Sequence, residues 1–105
     1  MKEIPVTKND YDKSVILTSF LSEFKSMTAD SRNIEDIVFI PKTDGYDITF
    51  IYNNVPSSIS LTFNKSRFTA KMKVKYTVGA EKPKVFISEN ADKNREILHQ
   101  VFNDN

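Results

Sequence analysis

Lys71, Lys73 and Lys75 alternate with Met72, Val74 and Tyr76, and this two-residue rhythm is the clearest chemical signal in the chain. On a β-strand the three ammonium groups emerge on one face, about 6.5–7 Å from one to the next. Lys65 and Arg67 precede the row, Lys82 and Lys84 follow it, and Glu81 is the only acid between Lys65 and Lys84. A line of fixed positive charge suits an acidic protein surface, or the phosphates of a nucleic acid, where binding weakens steeply with salt. Single strands also require exposed rings on which bases stack. Phe39 and Phe86 are the candidates for such rings, each out of phase with its apolar neighbours, whereas Phe68 and Tyr76 point inward. The same lysines have a structural use: they discourage edge aggregation and cover apolar surface with their stems. Asp47 on a neighbouring strand is a candidate to pair with them.

Other chemistry has less to work with. The sequence contains no Cys, which excludes disulfides, zinc–thiolate sites and thiol catalysis. Its one histidine, His99, falls on a helical stretch between Leu98 and Gln100 and reads as a surface or partly packed residue. No G-x-S-x-G elbow is present, and the two separated glycines, Gly45 and Gly79, build neither a P-loop nor a dinucleotide fingerprint. Glu35, Asp36, Asp44 and Asp47 could hold a divalent cation if they converged. Turn formation and strand solubility explain them more simply. The expectation is no enzyme, with no catalytic, cofactor-binding or metal-ligating residues and no small-molecule substrate.

The elements that position the lysine row follow from periodicity. From about Asp10 to Ala29, Ile16, Leu17, Phe20, Leu21, Phe24 and Met27 recur at helical steps and form one apolar stripe. Asn9 or Asp10 is placed to cap it. Ser19, Ser22, Glu23 and Ser26 make a polar back, either solvated or admitting a second helix. A short β-rich run, Ile37 to Ile40, ends at Pro41. Asp44-Gly45 then signals a hairpin through residues that tolerate positive φ. Tyr46, Ile48, Phe50 and Tyr52 alternate next, followed after Asn53-Asn54 by Ile59, Leu61 and Phe63. Asn64-Lys65-Ser66-Arg67 reads as a turn leading into the longest alternation, Phe68 to Val78. Lys84 to Ser88 is a fifth short strand, and a second helix starts near Asn90 with Ser88 or Asn90 as its cap.

The fold class is therefore α+β: an antiparallel β-meander of about five strands with an N-terminal and a C-terminal helix packed on one face. The opposite face stays largely wet, where Val38, Ile40 and Ile51 could form an apolar patch. One domain over residues 1–105 with short mobile ends is expected. The 39% hydrophobic content is enough for a core. Net charge is +1 but uneven: residues 1–54 carry six basic and nine acidic side chains, and residues 55–105 nine and five. The first ten residues hold no apolar h-region and no stretch suits a bilayer, so a cytoplasmic location away from membranes is expected. The functional expectation is a non-enzymatic interaction module, accessory or inhibitory. It would bind a protein partner, or itself, through Lys65, Arg67, Lys71, Lys73, Lys75 and Lys84. The alternative is a sequence-tolerant nucleic-acid binder using the same basic strand.

Overall fold

The computed structural model describes residues 8–64 and 70–103. The turn expected at residues 64–67, including Lys65 and Arg67, and the strand start expected at Phe68 lie outside those residues or at their margin. Helix α1 (Lys8–Thr28) buries Ile16, Phe20 and Phe24, with Leu17, Leu21 and Met27 half-buried beside them. It begins ahead of Asn9 and Asp10, which belong to its first turn instead of capping it. Its last turn holds Lys25, a favourable sign at the negative end of the helix dipole. There the Thr28 hydroxyl donates to the Phe24 carbonyl at 2.8 Å.

Five antiparallel strands follow in sequence order: β1 (Ile34–Lys42), β2 (Gly45–Tyr52), β3 (Val55–Phe63), β4 (Met72–Val78) and β5 (Lys84–Ser88). Pro41 does not end β1 as expected; the strand runs through it to Lys42. β1 is a sheet edge, and an edge strand tolerates a residue with no N–H to donate. A bulge between Glu35 and Val38, with Asp36 at φ 55°, bends the start of β1.

The hairpin chemistry also differs from expectation. Neither Asp44 nor Gly45 takes a positive φ. Gly45 already pairs with Lys42 as a strand residue, and a β-carbon there would collide with the Leu61 carbonyl. The glycine is needed for close approach of β2 to β3. The left-handed pair is Asn53 (φ 51°) and Asn54 (φ 67°), which turn β2 into β3 in the manner of a type I′ hairpin.

Helix α2 (Ala91–Asn103) starts where Asn90 Oδ1 accepts the Lys93 backbone N–H at 2.8 Å, a side-chain cap satisfying an end-of-helix donor. Ile97, Leu98 and Val101 go into the core. Both helices cover one sheet face and lie against each other, with Arg95 Nε 3.5 Å from Glu23 on the partly buried flank of α1. Aromatic rings centre this core. Phe24 meets Phe39, Phe50 and Phe102 at centroid distances of 6.0, 5.7 and 5.8 Å, and Tyr52 stands edge-on to Phe102 at 5.6 Å. Each buried ring contributes about 1.5–3 kcal/mol by leaving water.

Candidate interaction face of the sheet

The side of the sheet away from the helices is built by register. One cross-strand row runs Ile40, Asp47, Ser60, Lys75, Val85; the next runs Gly45, Thr62, Lys73, Ile87; a third runs Val38, Thr49, Ser58, Thr77. Alternation therefore sends Lys73 and Lys75 into solvent while Met72, Val74 and Tyr76 anchor β4 in the core. Lys71, exposed just before β4, lies 3.6 Å from Glu89. No ion-pair partner is within reach of Lys73 or Lys75 among the described residues. Lys84 is separated from this group: it stands opposite Tyr76, so its strand position belongs to the helix side.

The face is not purely cationic. Val85 and Ile87 on β5 are 53% and 46% exposed, and Val38 and Ile40 on β1 are 49% and 43% exposed. These values mark two apolar margins around a centre of Ser and Thr. Ile51 shares the face and is half-buried, diagonal to Val38 across β1 and β2. A shallow hollow of about 370 Å³ opens beside it, lined by Thr49, Ile51, Pro56, Ser58 and Thr77 among others.

Phe39 and Phe86 do not project from this face as expected. Both are half-buried and pack on the core, which puts their neighbours Val38, Ile40, Val85 and Ile87 in water. The exposed pair on β5 is the feature that sequence reasoning missed. Val85, Phe86 and Ile87 are all apolar, so the run carries no alternation to read. A usable signal lay one residue on. Ser88 is in phase with Phe86 and is fully buried, because its hydroxyl bonds to Asn94 of α2.

Asp47 does not pair with the lysine row. Its Oδ1 is 2.9 Å from Lys42 Nζ and accepts from the Ser60 hydroxyl at 2.8 Å. Partial desolvation pushes its pKa up, but the hydrogen bonds from Lys42 and Ser60 and the charge on Lys42 outweigh this and hold it below the usual value. The four acids considered as a cation site do not converge. Glu35 and Asp36 lie at one end of the β1–β2 hairpin, and Asp44 and Asp47 toward the other. Among the described residues no three acidic or histidine side chains gather in a metal-binding group. His99 is exposed on α2. On the helix side, burial pushes the Tyr76 phenol up to about 12, with the neighbouring Tyr52 and Glu81 adding to the shift.

No family model, curated protein or solved structure matches the chain. No described helix is long and apolar enough to cross a membrane. The functional reading rests on the geometry of the open face.

Proposed function

We propose that the chain is a non-enzymatic interaction module, accessory or inhibitory in role and working in the cytoplasm, that docks another protein through its open sheet face. One observation carries this reading. The exposed lysines of β4 lie in cross-strand rows that end in solvent-exposed Val85 and Ile87. Apolar surface set beside exposed positive charge fits a partner that presents apolar side chains flanked by carboxylates. Burial of the apolar part supplies affinity, and the charges supply orientation and encounter rate.

The nucleic-acid reading shares the lysines but loses its stacking surfaces, because Phe39 and Phe86 serve the core. Replacing Lys71, Lys73 and Lys75 with Glu reverses the row without touching a buried side chain. The triple variant should keep its melting temperature and lose the partners that the wild-type chain retains in a pull-down. Retention of every partner rejects the surface assignment. Fluorescence anisotropy with single- and double-stranded oligonucleotides at two salt concentrations should show no binding. Tight binding at low salt that collapses with added salt would replace the protein-docking reading with the other.

A further inference from the structure

The two edges of the sheet differ in kind. β1 is defended by Pro41, which offers no donor, and by the bulge at Asp36, which breaks its ladder. Within Lys84–Ser88 β5 has neither device, and Pro83 lies just before it. Its register with β4 is unbroken from Met72–Ser88 to Tyr76–Lys84, and no described strand pairs with its outer row of backbone N–H and C=O groups. Val85 and Ile87 stand exposed along that undefended edge.

We infer that the chain self-associates through β5, two copies pairing antiparallel about a two-fold axis at Phe86. The register follows from geometry. Both faces of a sheet continue across a seam only if residues of the same phase meet. Of the symmetric registers that satisfy this, the one centred on Phe86 pairs all five residues of β5. Val85 of each copy then lies opposite Ile87 of the second copy, closing the exposed apolar pair on the open face. Lys84 falls opposite Ser88, and Pro83 opposite Glu89, so no like charges meet. An acidic segment of a foreign protein would also be drawn to this edge, but the Val85–Ile87 match is a self-match.

The two five-stranded sheets become one continuous sheet. A lysine row then lies on each side of a central apolar stripe. Five paired residues make a small interface, at the weak end of specific association, so a reversible monomer–dimer equilibrium is expected. The pairing uses the β5 backbone and two apolar side chains. Val85 and Ile87 also supply the apolar part of the proposed docking face, so the Lys71/Lys73/Lys75→Glu variant separates the two readings: it should lose partners and still dimerise.

Sedimentation equilibrium of the full chain over a wide concentration range tests the inference. The wild-type mass should rise from monomer toward dimer. The Val85→Lys/Ile87→Lys variant should stay monomeric with an unchanged circular-dichroism melt, and Val38→Lys/Ile40→Lys on the opposite edge should still dimerise. A wild-type chain that remains monomeric throughout overturns the inference, as does a dimer abolished by the β1 changes and spared by the β5 changes. The absence of native Cys allows a second reading that does not depend on lysine substitution. Val85→Cys and Ile87→Cys chains, mixed under mild oxidation, should cross-link to each other faster than Val38→Cys and Ile40→Cys chains do. The reverse order also overturns the register.

Discussion

Asn94 Nδ2 donates to the Ile16 carbonyl at 2.8 Å, tying α2 to α1 across 78 residues of sequence. The same amide accepts from Ser88 through Oδ1. One fully buried side chain thus links both helices and the last strand. Asn94→Ala removes the side-chain donor to the Ile16 carbonyl, leaves the Ser88 hydroxyl only the Asn90 carbonyl at 3.1 Å, and opens a void, and is expected to cost about 2–4 kcal/mol. Ser88→Ala should cost less, about 1 kcal/mol. Urea unfolding of both singles and the double variant checks this. A shared bond appears as non-additivity of about 1 kcal/mol, and strictly additive losses would contradict the link.

The two glycines should respond differently to alanine. At Gly45 the new methyl meets the Leu61 carbonyl, so β2 and β3 must separate. A loss of more than about 3 kcal/mol is expected, or failure to fold. At Gly79 the backbone has φ 53° and the methyl would lie 3.0 Å from Val55 Cγ1, the end of a side chain that can shift. About 1–2 kcal/mol is expected there, mostly from the left-handed backbone. Denaturant midpoints for the two variants give the order directly, and equal losses would refute it.

Asp47 supplies an acid-side dependence. Its carboxyl titrates lower in the folded chain than in the unfolded one, so its stabilisation is present above the unfolded value and disappears as pH falls through the folded one. Asp47→Asn should therefore lower stability at pH 7, by about 0.5–1 kcal/mol given its partial exposure, with the gap to wild type closing in strong acid. Thermal melts from pH 7 down to about pH 2 measure this gap. A gap that widens in acid has the wrong sign.

Tyr76 supplies the alkaline counterpart. Its phenol, ordinarily near 10.0, is pushed up to about 12, so the unfolded chain releases the proton first. Stability from this group is complete below the unfolded value and is lost as pH rises toward the folded one. Tyr76→Phe should weaken the stability loss between those two values. Melting curves of wild type and variant across that window test the assignment, and identical slopes would exclude Tyr76 as the source.

Strand existence was legible wherever alternation was clean. Ile59, Leu61 and Phe63 on β3, and Met72, Val74 and Tyr76 on β4, point where their spacing says, and Lys73 and Lys75 reach solvent as a result. Phase was illegible where every residue is apolar. Val38 and Ile40 lie on the open face as expected, but Phe39 and Phe86 turn inward to fill the core beneath the helices, leaving Val85 and Ile87 outside. Pro41 and Gly45 misled for a related reason. Their local meaning depends on which strands lie alongside, a tertiary fact that a dipeptide does not contain. Nothing in the sequence singles out Asn94, because its partners sit on two other elements.

The hydroxyl-rich centre formed by Thr49, Ser58, Ser60, Thr62 and Thr77 has an evolutionary consequence. Apart from Ser60, which donates to Asp47, small polar groups that anchor nothing beneath them can be exchanged one at a time with little loss of folding energy. A saturation scan of β3 and β4 should show tolerance rising and falling every second position. New recognition could be written on the permissive positions while the intolerant ones preserve the architecture.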